Sequence, residues 1–329
     1  VYKVLWRFPN GLPQKCRNKK AVRQSRANER DNERFFRQAQ WQKLPNSAVL
    51  PSMHGGTMTL YATDLDGTLL NQKAVVSENS VRILNELLDH GLMLTVASGR
   101  SPVTGLKLLE SLHLRLPVAL LNGGLIYDMA EKKAVSCLCF SPEARSILAK
   151  AEEETDFGGF AITLRRGKIL LHAGKLDDPR GYREWMSAGF PYDRCPIRDI
   201  PAAEELFCAY YTSYDEAHIR TFYEKIRCCQ DIRVSLSRND YEPEKWCIEV
   251  NHRDASKATA LLRIQKMIRA DRLVVFGDAE NDIPMFEASD EAYATADACE
   301  ALKGLATGVI GKHDEDCVAK WLAQAMHSF

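Results

Sequence analysis

Residues 63–70 read Thr63-Asp64-Leu65-Asp66-Gly67-Thr68-Leu69-Leu70, and they directly follow an apolar run, residues 58–62. Such a short apolar run predicts a buried β-strand. Because residues two apart in an extended chain point to the same side, Asp64 and Asp66 should lie together. Two like charges at that distance repel each other, so the pair suits a bound cation better than a bare core. Gly67 lets the backbone turn sharply straight after the acids.

The bulk composition is typical of a soluble protein. The chain has 329 residues, of which 45% are hydrophobic and 27% are charged. This length allows two domains with cores of their own. Every uninterrupted apolar run is shorter than the roughly 18–20 residues that a membrane helix needs. We therefore expect a soluble protein that does not act on membranes.

Charge is unevenly distributed along the chain. Residues 1–57 contain 12 Lys/Arg and 3 Asp/Glu, although the formal net charge of the whole chain is zero. We expect this basic tail to be disordered or a non-native extension, since Met58 stands where the first predicted strand begins. A nucleic-acid-binding arm and an organelle transit segment are the alternatives. A signal peptide is excluded because the segment lacks an apolar central region.

The ten cysteines point to a reducing compartment. None belongs to a C-x-x-C pair, which argues against a zinc ribbon. Cys208 and Cys247 lie in apolar runs and are typical of small buried hydrophobic residues, so we expect a cytoplasmic protein. Cys137 and Cys139 would share one strand face, and we expect no redox role for them.

From residue 58 onward, apolar runs alternate with amphipathic stretches. This alternation predicts a parallel sheet with crossover helices. Further strands are predicted over residues 92–97, 117–121 and 272–276, and helices over residues 78–90 and 256–268. The first helix should be capped by Ser77. The strands end in small polar residues, at Ser98-Gly99-Arg100, at Asn122-Gly123-Gly124 and at residues 277–282. In open α/β sheets, ligands bind at such strand ends.

Residues 128–250 show a different pattern. Helix-like stretches alternate there with pairs of neighbouring strand-like runs, including a hairpin predicted over residues 159–172. We therefore expect an α+β domain inserted into the α/β domain, with the first domain formed by residues 58–127 and 251–329.

The polar strand ends offer the groups that phosphoryl transfer needs. A carboxylate that attacks a phosphate dianion meets charge repulsion, which a bound Mg²⁺ relieves, and Mg²⁺ prefers hard oxygen ligands. Asp64, the backbone carbonyl of Asp66, and Asp278 could supply such oxygens. The hydroxyl of Ser98, the ammonium of Lys257 and backbone N–H groups could cradle a phosphate.

In this order, the motifs resemble those of the haloacid dehalogenase (HAD) superfamily. That family has D-x-D-G-T, a Ser/Thr at a strand end, a Lys, and G-D-x-x-N-D, which match residues 64–68, Ser98, Lys257 and residues 277–282. The turn at residues 122–124 and the Ser-Lys step resemble the Cof-type branch, subclass IIB. The resemblance implies a Rossmann-like parallel-sheet core with an inserted α+β cap of the C2 type over residues 128–250. A D-x-D-G string also occurs in calcium loops and in plain turns.

The resemblance also implies the roles of individual residues. Asp64 would be the nucleophile and Asp66 the general acid/base. The phosphate would be bound by Leu65, Ser98, Gly99, Lys257 and Asn281. Mg²⁺ would be held by Asp64, Asp66 and Asp278, with Asp282 in support. Ala258 stands where the branch usually has Gly, and Ser98 where Thr is more frequent. We expect Arg100 to be a solvated charge at the start of a helix.

The function that follows is that of a Mg²⁺-dependent phosphomonoester hydrolase. It would act on small soluble phosphorylated metabolites, such as sugar phosphates or phosphorylated cofactors, through an aspartyl-phosphate. A phosphomutase or phosphotransferase of the same superfamily is one alternative, and a nucleic-acid-binding protein that uses the basic arm is another. A P-loop motif is absent from the sequence. The individual substrate and the oligomeric state are left open.

Overall fold

The computed structural model describes residues 53–54, 57–175, 189–239 and 242–327. The predicted basic tail, residues 1–57, lies almost entirely outside them. In chain order the described strands are β1 (Met53–His54), β2 (Thr57–Thr63), β3 (Leu94–Val96), β4 (Val118–Leu120), β5 (Leu125–Asp128), β6 (Lys133–Cys137), β7 (Phe160–Arg165), β8 (Lys168–Ala173), β9 (Tyr192–Asp193), β10 (Glu205–Ser213), β11 (Ile232–Arg238), β12 (Trp246–His252), β13 (Arg272–Gly277), β14 (Glu291–Ala294) and β15 (Gly308–Val309).

The described α-helices connect these strands. They are α1 (Glu78–Asp89), α2 (Pro102–Leu109), α3 (Pro142–Thr155), α4 (Glu216–Ile226), α5 (Lys257–Ile268), α6 (Ile283–Ala288), α7 (Glu300–Lys303) and α8 (Cys317–His327). Helix α1 begins as predicted, because the hydroxyl of Ser77 accepts a hydrogen bond from the N–H of Ser80 at 2.9 Å. A serine in this position satisfies one of the free N–H groups of the first turn.

The core sheet is built around β2. This strand pairs in parallel with β3 on one side and with β13 on the other, and β14 and β15 continue the sheet beyond β13. The last five residues of β2 are all buried, as expected for a parallel strand that is covered on both faces. The prediction of an α/β fold with a parallel-sheet core is confirmed.

A three-stranded antiparallel sheet, β4–β5–β6, extends this core. Strand β4 joins the core through a parallel bridge between Ala97 and Ala119. The hairpin of β5 and β6 had not been predicted, and it continues past residue 128 while still pairing with β4. The exact limits of the two predicted domains therefore stay a prediction.

The second large sheet is the predicted α+β cap. Its six strands follow the order β11-β12-β10-β7-β8-β9. The predicted hairpin of β7 and β8 is present, and it turns at Arg166 and Gly167, which both have positive φ. Helices α3 and α4 cover one face of the sheet, where the rings of Tyr211 and Phe222 lie 4.3 Å apart.

Two expectations from composition can be compared with the described residues. None of their helices is long and apolar enough to cross a membrane. All nine of their cysteines are free thiols, and Cys208 and Cys247 are buried as predicted. A cytoplasmic location stays a prediction.

The core of the cap contains a buried acid. Glu152, on α3, is 7% exposed. Its carboxylate accepts hydrogen bonds from the N–H of Ile197 at 3.0 Å and from the hydroxyl of Tyr211 at 3.1 Å. Burial nevertheless raises the pKa of Glu152 from its ordinary value of 4.5 to about 7, because desolvation disfavours the charged form more than the two hydrogen bonds favour it.

This pKa predicts a pH-dependent stability. The carboxyl of Glu152 binds its proton more tightly in the folded protein than in the unfolded one. Its contribution to the free energy of unfolding is therefore complete below pH 4.5 and is lost as the pH rises to about 7. The loss should be on the order of 3 kcal/mol. We expect Glu152→Gln to remove this part of the pH dependence when urea unfolding is measured between pH 5 and pH 8. The exposed neighbour variant Glu153→Gln should keep it. Equal pH profiles for the wild type and Glu152→Gln would contradict the assignment.

Candidate active site

Asp64 lies at the carboxyl end of the central strand. It is the first residue after β2, and only 4% of it is exposed. Its N–H donates a hydrogen bond to the carbonyl of Phe276 in β13 at 3.0 Å. The main chain at Asp64 is therefore fixed by the neighbouring strand.

Lys257 contacts Asp64 inside the protein. Its ammonium, which begins α5, lies 2.7 Å from Oδ1 of Asp64 and 2.6 Å from Oδ1 of Asp282. Lys257 itself is 1% exposed. Burial disfavours the charge of Lys257, but the carboxylates of Asp282 and Asp64 outweigh this effect and raise the pKa of Lys257 above its usual range. The lysine therefore stays charged at neutral pH.

Asp282 is the structural partner of this lysine. It is fully buried. Its second oxygen, Oδ2, accepts hydrogen bonds from the N–H groups of Asp278 at 2.9 Å and Ala279 at 3.0 Å. Asp282 therefore holds the loop after β13 in place and positions Lys257 at the same time.

Three carboxylates converge beside the lysine. Oxygen atoms of Asp64, Asp278 and Asp282 all lie within 4.8 Å of one another. Burial, together with the charges of Asp282 and Asp278, raises the pKa of Asp64 well above its usual range in spite of Lys257. Hard carboxylate oxygens in such a group are suitable ligands for a hard divalent cation, which would also relieve their mutual repulsion.

The turn after Asp64 packs tightly against Asp278. The hydroxyl of Thr68 donates a hydrogen bond to Oδ1 of Asp278 at 3.1 Å. Gly67 has φ +76°, and a Cβ atom built on it would lie 2.1 Å from Oδ2 of Asp278. A side chain at position 67 would therefore have to displace the Asp278 carboxylate. The first residue of this turn, Leu65, is fully buried.

Asp66 is held by an arginine that we had expected in solvent. The guanidinium of Arg100 donates two hydrogen bonds to the Asp66 carboxylate, from Nε at 2.8 Å and from the terminal nitrogen Nη2 at 2.7 Å. Arg100 is 7% exposed, so the expectation of a solvated residue at a helix start is wrong. The physical reason is that α2 begins only at Pro102, which leaves Arg100 in the loop beside Asp66.

Ser98 belongs to the same loop. It is fully buried, and its hydroxyl accepts a hydrogen bond from the N–H of Arg100 at 3.1 Å. The carbonyl of Ser98 accepts one from the N–H of Asn122 at 2.9 Å. Gly99, between Ser98 and Arg100, is partly exposed.

Two asparagines face each other across two of the loops. Nδ2 of Asn281 donates a hydrogen bond to Oδ1 of Asn122 at 3.2 Å. Their remaining polar atoms, Nδ2 of Asn122 and Oδ1 of Asn281, are buried without a hydrogen-bond partner in the described part of the chain. We had predicted a role only for Asn281. The position of Asn122 at a strand end was the signal that could have identified it.

The geometry thus brings most of the predicted site residues together. Asp64, Lys257, Asp278 and Asp282 form one connected group. Asp66 lies in the same turn as Asp64 but points its carboxylate toward Arg100. The chemical roles of these residues remain predictions.

The fold and these motifs define a class of protein. The family model for haloacid dehalogenase-like hydrolases matches residues 61–322, and the chain belongs to this family. The prediction of a HAD-type enzyme is confirmed.

Curated relatives and solved structures agree with this assignment. The phosphatase YwpJ of Bacillus subtilis is 28% identical over 80% of this chain and 98% of that protein. The 5-amino-6-(5-phospho-D-ribitylamino)uracil phosphatase YwtE of the same organism is 26% identical over 82% of this chain and 98% of that protein. These relatives and the family together confirm the prediction of a phosphatase.

Among solved structures, a haloacid dehalogenase-like hydrolase from Bacteroides thetaiotaomicron superposes with a TM-score of 0.65 at 21% identity, covering 81% of this chain and 99% of that one. The HAD subclass IIB sugar phosphatase BT4131 superposes with a TM-score of 0.57 at 18% identity, covering 82% of this chain and 99% of that one. At these identities the likeness supports the fold.

The contact between Gly67 and Asp278 predicts the effect of a single methyl group. We expect Gly67→Ala to lower the rate of phosphate release at least about tenfold, because the new Cβ displaces Asp278. Gly167→Ala, in the cap hairpin, is the matched control. Gly167 has φ +77°, and its Cβ would meet nothing within 4 Å. The control should lose only about 1 kcal/mol of stability and keep its activity. Equal activity losses in the two variants would contradict the steric explanation.

Proposed function

We propose that this protein is a Mg²⁺-dependent phosphomonoester hydrolase that forms an aspartyl-phosphate on Asp64. One observation carries the proposal: the buried ammonium of Lys257 bridges Asp64 and Asp282, with Asp278 beside them. A buried carboxylate nucleophile next to a fixed positive charge suits an attack on an anionic phosphate, because the charge offsets the repulsion between the two anions.

The oxygen ligands present fit Mg²⁺. Asp64, Asp278 and the backbone carbonyl of Asp66 would hold the ion, and Asp282 would keep its place as the partner of Lys257. When bound, Mg²⁺ would supply positive charge between the carboxylates and the phosphate oxygens.

The chain's own residues would divide the reaction into two displacements. In the first, an oxygen of Asp64 attacks phosphorus, and the bond from phosphorus to the leaving oxygen breaks while Asp66 donates a proton to that oxygen. In the second, Asp66 takes a proton from water, which attacks the phosphorus and releases Asp64 and inorganic phosphate. Arg100 would keep the Asp66 carboxylate oriented.

The remaining predicted residues would bind the phosphoryl group. Lys257 and the hydroxyl of Ser98 would contact its oxygens, and the loops that contain Leu65, Gly99 and Asn281 would complete the cradle. Nδ2 of Asn122, which has no hydrogen-bond partner among the described residues, is a further donor that could contact the phosphate or the leaving group.

Small phosphate esters are the proposed substrates. The relative YwtE is named for a phosphorylated ribitylamino-uracil, and BT4131 is described as a sugar phosphatase. Both compounds carry a phosphate on a hydroxylated carbon chain, so we place the substrate of this protein among small phosphorylated metabolites.

The nucleophile can be tested directly on the full chain. We expect phosphate release from a panel of phosphomonoesters to require Mg²⁺. Asp64→Asn should lower it by roughly three orders of magnitude or more, because the attacking carboxylate is lost. Asp89→Asn, on the exposed side of α1, is the matched control and should keep full activity. Release that is independent of Mg²⁺, or that persists in Asp64→Asn, would refute the proposal.

The pair of Asp66 and Arg100 predicts a dependence on the leaving group. Alkyl phosphates need a proton on the leaving oxygen, whereas p-nitrophenyl phosphate has a good leaving group that needs little acid catalysis. We expect Arg100→Gln to lower kcat/KM, which reports the first displacement, for an alkyl phosphate by about ten- to a hundredfold and to affect kcat/KM for p-nitrophenyl phosphate much less. An equal loss for both substrates would show that Arg100 does not act through Asp66.

A further inference from the structure

Two thiols and a carboxylate meet where the chain passes from the core into the cap. Cys137 is the last residue of β6, and Cys139 follows two positions later in the connection to α3. Their sulfur atoms lie 2.9 Å apart. Glu205, the first residue of β10, completes the group, and the three ligand atoms all lie within 4.8 Å of one another. None of these three residues belongs to the carboxylate group of the active site.

The main chain beside the thiols is bonded to both parts of the fold. The N–H of Leu138 donates a hydrogen bond to the carbonyl of Gly124, in the turn between β4 and β5, at 2.8 Å. The N–H of Phe140 donates one to the carbonyl of Leu206 in β10 at 2.7 Å. The thiol pair therefore lies in the segment that joins core and cap, while the carboxylate belongs to the cap sheet.

Solvent reaches this group, and its electrostatics favour a cation. Both cysteines are partly exposed and Glu205 is exposed, whereas Cys208 and Cys247 are buried. The hydrogen bond with Cys139, the burial of the sulfur and the charge of Glu205 all raise the pKa of the Cys137 thiol well above its usual range. A thiolate at this position is therefore disfavoured unless a positive charge accompanies it.

The donor set is chemically different from that of the active site. Two thiolate sulfurs and one carboxylate oxygen are ligands typical of Zn²⁺, whereas Mg²⁺ prefers oxygen ligands alone. Zn–S bonds of about 2.3 Å in a tetrahedral site hold two sulfurs roughly 3.7 Å apart. The two thiols would therefore have to separate by a little under about 1 Å on binding. Partly exposed side chains can make that movement by small rotations.

We propose that Cys137, Cys139 and Glu205 form a second metal site, which takes a thiophilic divalent cation such as Zn²⁺ and leaves a fourth coordination position to water. Binding releases one proton from each thiol to the solvent, and two metal–sulfur bonds replace the hydrogen bond between the sulfurs. The ion joins the segment between core and cap to β10. The site is independent of the proposed phosphatase reaction, because it shares no residue with it.

Metal binding to the reduced full chain tests the site, with excess Mg²⁺ present to saturate sites made only of oxygen ligands. Cd²⁺ reports on sulfur ligands through its ultraviolet charge-transfer absorption, and competition with a chromophoric chelator gives the affinity for Zn²⁺. We expect one ion per chain, with a dissociation constant for Zn²⁺ of about 1 μM or tighter.

Variants assign this binding to individual ligands. Cys137→Ser and Cys139→Ser should each weaken the affinity for Zn²⁺ at least about a hundredfold, because a thiolate is lost. Glu205→Gln should weaken it about tenfold, because the amide carries no charge. Cys228→Ser removes an exposed thiol elsewhere in the cap, and this matched control should bind as the wild type does. Glu205 is exposed, so its variant keeps the test decisive even if a serine variant does not fold.

Hydrogen exchange locates the ion at the connection. Zn²⁺ should slow the exchange of the N–H groups of Leu138 and Phe140 by about tenfold or more in the wild type, because the ion holds this segment against β10. Exchange in Cys137→Ser should not respond to Zn²⁺.

Three results would overturn the site. The first is a wild type without thiolate absorption in the presence of Cd²⁺. The second is an affinity for Zn²⁺ that weakens as the concentration of Mg²⁺ rises, which would indicate oxygen ligands. The third is equal affinity in the wild type and all three ligand variants, which would show that other residues bind the ion. Phosphate release is measured separately, so its absence would refute the proposed function and leave this inference standing.

Discussion

The contact of Lys257 with Asp64 and Asp282 is the constraint on which the rest of the site depends. All three groups are buried, and taking such charges out of water is costly unless they pair and hydrogen-bond. Removing one member would leave an uncompensated charge inside the protein. The end of β2, the start of α5 and the loop after β13 must therefore come together in one arrangement.

Charge balance extends this constraint to the proposed Mg²⁺. Three carboxylates lie within 4.8 Å of one another, and a single ammonium cannot neutralise all of them. Both oxygens of Asp282 already accept hydrogen bonds, one from Lys257 and the other from two backbone N–H groups. The group of three carboxylates therefore keeps an excess of negative charge around Asp64. The same excess of negative charge that raises the pKa of Asp64 would attract the proposed divalent ion, so the stability of the site and its proposed chemistry have one electrostatic origin.

The sequence predicted the acids of the site better than their partners. Asp64, Asp278 and Asp282 follow apolar strands, and the carboxyl ends of parallel strands meet at one edge, so pattern alone placed them together. Lys257 has no distinctive local pattern and was found only through its spacing in the motif. Arg100 is buried because α2 begins two residues after it. The periodicity of a sequence does not locate the start of a helix to within two residues. The hairpin of β5 and β6 was missed because it spans residue 128, where we had placed the boundary between the two predicted domains.

Under the proposed function, the two parts of the fold would divide the recognition of a substrate between them. The strand ends of the core would provide the charges that a phosphoryl group requires, and these requirements are the same for every phosphate ester. The cap sheet uses one half of a face, on β7, β8 and β10, to pack on the core and leaves the other half, on β11 and β12, polar. Because residues on one face alternate along a strand and align across strands, a substitution on β11 or β12 can alter the polar half without disturbing the apolar half on β7 and β8. Selectivity can therefore change while the charge balance around Lys257 stays constant.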